Sequence, residues 1–215
     1  MSIRTNVAAY ITNADYQAII DLAKENQAKT LKFVQSHIYG DINDAIRWHA
    51  ITAFGYLTKA YADICDEPYR NVLRRCLWAM NDESGNVPWS APEVMAAIIK
   101  AAPKYSFDFT APMLTNGLDN PMCHSGVLWA MGHLGEDFAQ ELAPFLAKVE
   151  FALNSSDPLL RGLAIWAFTR LKYQPAAGII GSLVEDSEEF YLFSDDCLQK
   201  TTVGDMAKKY LQELK

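Results

Sequence analysis

Asp82, Glu83 and Glu93 are the carboxylates whose spacing could do chemistry. They flank a polar stretch, Asn81-Asp82-Glu83-Ser84-Gly85-Asn86, set in otherwise apolar sequence from Leu77 to Ile99. Gathered round one loop, three carboxylates suit a divalent cation, a cationic ligand or general acid–base work. A plainer reading makes Asp82 and Glu83 solvated turn residues. Glu93 then completes a capping box with Ser90, whose hydroxyl accepts from a first-turn amide while the carboxylate reaches back to the cap. Trp89 reads either as an exposed aromatic anchor or as a core residue. Asn81, Asp82, Glu83, Ser84, Trp89 and Glu93 therefore form the candidate binding loop, with no catalytic residue assigned.

Other reactive side chains form no set. His37, His49, His124 and His133 lack the HExxH spacing of a zinc helix. His124 and His133 are nine positions apart, on opposite faces of any one helix. Cys123 and His124 are adjacent, so their side chains diverge. No metal site, no cofactor, no glycine-rich phosphate loop and no G-x-S-x-G elbow is expected. Trp48, Trp78, Trp129 and Trp166 read mostly as core and inter-helix packing, with a groove for stacking a base or tetrapyrrole as the alternative.

Charge narrows the partners. Nineteen basic and twenty-six acidic residues give a net charge of −7, which disfavours nucleic acid and anionic lipid surfaces. The basic pairs Arg74-Arg75 and Lys208-Lys209 are too small to reverse that field. No apolar run is long enough for a signal peptide or a membrane span, and the scattered cysteines Cys65, Cys76, Cys123 and Cys197 read as reduced, mostly buried thiols. The expectation is a soluble, cytoplasmic protein.

The elements that must position these residues repeat. Arg47–Leu57, Trp89–Ile99, His124–Leu134 and Arg161–Leu171 are similar frames that begin 35 to 42 residues apart. Each has small or apolar residues at helical spacing, with Ala50, Ala53, Ala130, Ala164 and Ala167 expected between close-packed helices. Second helices fit between the frames, at about 69–80, 107–118, 138–153 and 176–184, with turns at Asp66-Glu67-Pro68, Asn120-Pro121, Asp157-Pro158 and Gln174-Pro175. Arg47 and Arg161 share one repeat position and read as structural, bonding turn groups such as Asp41 and Asp157.

The pattern R-x-x-A-x-x-A-x-G-x-L resembles the HEAT-like repeat family in the short form found in phycobilisome lyases. It covers about 41–185 and is weakest where Trp89 stands in place of the arginine. Asn81, Asp82, Glu83, Ser84, Gly85, Trp89, Ala91, Pro92 and Glu93 also match an N-D-E-S-G-x-x-x-W-x-A-P-E motif, similar to that of an uncharacterised bacterial group with HEAT-like repeats. The resemblance implies an all-α, armadillo-like α-α superhelix (solenoid). One domain would span 1–215: an N-terminal helical cap over 1–40 (a helix pair at about 14–25 and 27–37), repeats over 41–185, and a C-terminal cap over 186–215. Glu189–Phe193 and Cys197–Thr201 read as a small β-hairpin there, followed by a helix from Val203 to Leu214.

Three function classes follow. The first is a non-enzymatic scaffold that binds another protein through the solenoid surface and the 81–90 loop. The alternative, implied by the phycobilisome lyases, is a lyase or a chromophore- or small-ligand-handling protein. The third, a HEAT-like DNA glycosylase, needs a basic groove that this acidic sequence does not announce.

Overall fold

Capping residues start the helices where the sequence supplies them. Ser2, Asp15, Asp44, Asp157 and Thr202 each accept a first-turn amide with their side chains, a contribution of about 1 kcal/mol apiece. The computed structural model describes residues 2–81 and 90–214. Its helices are α1 (Ile3–Thr12), α2 (Tyr16–Gln35), α3 (Ala45–Tyr61), α4 (Glu67–Met80), α5 (Ala91–Ala101), α6 (Ser106–Asp119), α7 (His124–Leu134), α8 (Ala139–Leu146), α9 (Pro158–Arg170), α10 (Ala177–Ser182) and α11 (Val203–Glu213). Between α10 and α11 lie β1 (Glu189–Ser194) and β2 (Cys197–Thr202), paired antiparallel with Phe190 opposite Thr201 and Leu192 opposite Gln199.

Packing follows the repeat frames. α3 lies on α5, α5 on α7 and α7 on α9, while α4, α6 and α8 pack against one another in a second row. α1 and α2 cover α3 at one end, and α11 covers α9 at the other. Ala50, Ala53, Ala130, Ala164 and Ala167 are completely buried in the first row, where a methyl side chain permits close helix approach. Three contacts recur with the same spacing. Trp48 donates to the carbonyl of Ile42, His124 Nε2 meets that of Leu118, and Arg161 donates to that of Ser155, each six residues upstream. The first turns of α3 and α9 are thus tied to the segments that lead into them, and that of α7 to the end of α6.

Several elements differ from the sequence reading. α1 was not expected; Ser2 accepts from Thr5 N–H and Val7 and Ile11 supply its buried face. The two N-terminal helices expected on either side of residue 26 run as one element kinked at Asn26, whose side chain accepts from Lys29 N–H and restarts the helix. The expected helix over 138–153 is α-helical only through Leu146 and continues as 3-10 turns. Trp78 is 70% exposed on α4, not core. All four cysteines are free, but Cys65 and Cys197 are exposed, so only Cys76 and Cys123 fit the buried-thiol expectation. Among the described residues no helix is long and apolar enough to cross a membrane.

The hairpin does more than end the stack. β1 packs on α9, yet Phe193 stacks on Trp48 of α3 at 5.0 Å and its carbonyl accepts from Trp129 Nε1 of α7 at 2.8 Å. Its tip, Asp195-Asp196, lies within electrostatic reach of Tyr16 on α2. The C-terminal segment therefore reaches back over the first row of helices and encloses one side of it.

Candidate functional site

The candidate loop divides. Asn81 is exposed beyond the last turn of α4, its side chain donating to the Leu77 carbonyl. The assignments to Asp82, Glu83, Ser84 and Trp89 fall outside the described residues. Glu93 is not on a surface at all. It is fully buried, and its Oε1 accepts from Arg47 Nη2 at 2.6 Å. Ser90 does not cap α5: its hydroxyl accepts from Arg47 Nε at 2.7 Å and donates to the Ile38 carbonyl at 2.5 Å. The capping box is overturned because a buried guanidinium outcompetes a helix amide for both side chains.

This cluster joins the start of α3 to the start of α5. Burial raises the Glu93 carboxyl above its ordinary range, and the Arg47 charge opposes that shift. Gly126 of α7 makes room for the carboxylate; any Cβ there would run into Glu93 Oε2. Arg161, the matching arginine of α9, pairs with Asp186 at 2.8 Å in a partly buried site. The two guanidinium groups reach forward to Glu93 and Asp186, and Arg161 also donates to the Ser155 carbonyl of the turn upstream; neither side chain bonds Asp41 or Asp157.

The concavity with chemical potential is at the other end of the same helices. A cavity of about 460 Å³ is lined by α3, α5, α7, α9 and the hairpin tip, within the range of small-ligand sites. Tyr56, Trp129, Trp166 and Phe193 supply aromatic wall, and Trp129 stacks on His133 at 4.5 Å with their rings 13° apart. Gly132 allows Trp166 to lie directly on α7, since a Cβ would collide with the indole. Glycine here serves packing between helices.

Each helix that crosses the cavity carries a basic residue in its last turn: Lys59, Lys100, His133 and Arg170. Helix C-termini favour cations because their last carbonyls are unpaired, and Lys100 donates to one of them, the carbonyl of His133. Among the described residues none of Lys59, Lys100 and Arg170 makes an ion pair. Burial, with the Arg170 charge, lowers the Lys100 ammonium; Asp137 and Asp195 act against that. Burial and the charges of Lys100 and Arg170 push the His133 imidazole down to about 3, so it is neutral at physiological pH. Tyr16, stacked on Tyr56 at 4.6 Å beside this region, is raised to about 12 by burial and by Asp196.

Among the described residues no group of three His, Cys, Asp or Glu side chains could hold a metal ion. From the sequence, His133 is weighed only as a metal ligand beside His124, and Lys59, Lys100 and Arg170 are passed over. Their shared place near the end of each repeat frame was the available signal. A scan against protein-family models and searches of curated proteins and of solved structures return no match to this chain.

Proposed function

We propose that this chain is a HEAT-like repeat module that binds a ligand without transforming it, and that its working surface is the cavity across α3, α5, α7 and α9. The carrying observation is the cavity itself: about 460 Å³, walled by Tyr56, Trp129, Trp166 and Phe193 and rimmed by Lys59, Lys100 and Arg170. Apolar walls with a few convergent polar groups are the usual make-up of a small-molecule site. This favours the small-ligand alternative over docking through the 81–90 loop.

A protein partner is the second reading, supported by a separate observation. Trp78 is 70% exposed at the end of α4, next to Asn81, and aromatic side chains of this kind anchor protein interfaces. DNA remains the least favoured partner, because Asp195 and Asp196 share the cavity rim with its cations.

The test equilibrates the purified protein with small-molecule extract, removes free compounds by gel filtration and weighs the complex by native mass spectrometry. Ala101→Trp fills the cavity from the end of α5; Trp78→Ala alters the other face. A bound mass retained by Trp78→Ala and lost from Ala101→Trp supports the cavity. A mass retained by both variants, or none from the wild type, sinks it.

A further inference from the structure

The geometry points to a singly charged, flat aromatic anion, an aryl carboxylate or sulfonate, as the occupant of this cavity, with its acid group at Lys100 and Arg170. This rests on the cavity being the working surface. Four features of that surface select the chemistry.

First, Lys100 of α5 and Arg170 of α9 line the same cavity from either side of α7 and repel one another, yet among the described residues no carboxylate forms an ion pair with either. Like charges held together in a partly enclosed site are stabilised by any anion that enters between them. Second, their donors are free to act. Lys100 spends one N–H on the His133 carbonyl and keeps two, while the exposed Arg170 can present a planar pair of N–H groups that matches a carboxylate or sulfonate edge.

Third, the walls are flat and apolar. Trp166 and Trp129 lie 6.2 Å apart between ring centroids, with Tyr56 and Phe193 further along the cavity. The indole N–H of Trp129 is already committed to the Phe193 carbonyl. Its ring is stacked on His133, so Trp129 lines the cavity as apolar wall without a free donor, which suits an aromatic body. Fourth, Asp195 and Asp196 line the same cavity from the hairpin tip. They stand against the three cations and repel a second negative charge. A nucleoside polyphosphate or a nucleic acid strand would meet that repulsion; a monoanion with an uncharged body would not.

The test uses two fluorescent probes with one ring system: anilinonaphthalenesulfonate, an anion, and phenylnaphthylamine, which is neutral. Titrations follow probe emission and energy transfer from tryptophan, with melting curves to show that each variant is folded. The sulfonate should bind one site about tenfold tighter than the neutral probe, the margin of one charge-assisted contact. Raising the salt concentration should erode that margin. Arg170→Gln, at an exposed position, and Lys100→Met should each weaken the sulfonate by about tenfold. Both should leave the neutral probe within about twofold, since neither removes aromatic wall.

Equal affinities for the two probes, or a sulfonate affinity unmoved by Arg170→Gln and Lys100→Met, overturns the anion assignment. In that outcome loss of both probes from Ala101→Trp still upholds the cavity as a site. If Ala101→Trp binds both probes as the wild type does, the cavity reading fails and takes the anion assignment with it.

Discussion

The two ends of the first row of helices treat positive charge in opposite ways. At the N-terminal end Arg47 is sealed from solvent, in contact with Glu93 and Ser90. Twelve residues further along α3, about 18 Å at helical rise, Lys59 opens into the cavity beside Lys100 and Arg170. A buried cation without a counter-charge is untenable, so its partner must be built in. A cation at a helix C-terminus is already favoured by the backbone dipole and by unpaired carbonyls, so it can stand without a carboxylate. The first arrangement consumes its charges in holding two helices together. The second leaves them available.

Breaking the sealed end should have the largest effect. Arg47→Met leaves Glu93 buried without its counter-charge and should cost about 3–5 kcal/mol in urea unfolding. Arg47→Met/Glu93→Met should recover most of that loss, because apolar side chains of similar length refill the joint. A single-variant cost below about 1 kcal/mol would mean that the pair is not what joins α3 to α5. Probe binding at the far cavity should be unchanged in whichever variant stays folded.

Intermediate effects are expected between the two ends, where small residues set the helix spacing. Ala164 is fully buried between packed helices, and Ala164→Leu should destabilise by about 1–3 kcal/mol through overpacking. Gly132→Ala should fall in the same range of about 1–3 kcal/mol, and because Trp166 must move, tryptophan emission should shift with it. Wild-type melting by Ala164→Leu would argue that the first row is loosely packed.

The open end sharpens the comparison through pH. His133 titrates near 3 in the folded protein against 6.5 when free, held neutral by burial and by Lys100 and Arg170. Its folded value lies below its unfolded value, so its contribution is complete above pH 6.5 and is lost as pH falls toward 3. Between about pH 7 and pH 5 the loss should be about 1–2 kcal/mol. Asp66, held at about 2 through hydrogen bonds with Tyr105 and Arg70 against the cost of its desolvation, loses its contribution only below its ordinary value of 3.8. The two windows overlap only below pH 3.8, so the loss between about pH 7 and pH 5 belongs to His133 rather than Asp66. His133→Phe keeps a ring on Trp129 and should flatten the stability profile between about pH 7 and pH 5; an unchanged slope would mean that the imidazole is solvated.

Local rules were enough wherever an element depends on itself. The helices that carry Ala50, Ala53, Ala130, Ala164 and Ala167, the burial of those alanines and the C-terminal hairpin all follow from spacing and strand pattern. Failures came where a distant partner decides. Ser90 and Glu93 have capping-box spacing, but Arg47, over forty residues upstream, takes both side chains. Trp78 sits in an apolar helix yet faces outward, since the face that α4 buries runs through Tyr69, Leu73, Cys76 and Met80. The cavity wall includes Phe193, which reaches Trp48 in a contact between a strand and a helix about two thirds of the chain apart. A linear sequence cannot announce such a contact.

The smallest expected effect tests whether the hairpin tip is kept for charge or for turn geometry. Asp195 and Asp196 both adopt positive φ, 50° and 58°, in a two-residue connection between β1 and β2. That backbone suits Asn-Gly far better than a pair of side-chain-bearing residues. Asp195→Asn/Asp196→Gly should therefore stabilise the fold by about 0.5–1 kcal/mol, part of it offset by the greater freedom of glycine in the unfolded chain. The same change removes the two carboxylates opposite Lys59, Lys100 and Arg170. If the tip limits the cavity to single charges, the variant should gain affinity for a dianionic aryl probe while its affinity for the monoanion changes far less. Equal gains for both would mean that the tip screens the cations generally; a stabilised variant with no change in either would make the two aspartates a feature of the turn alone.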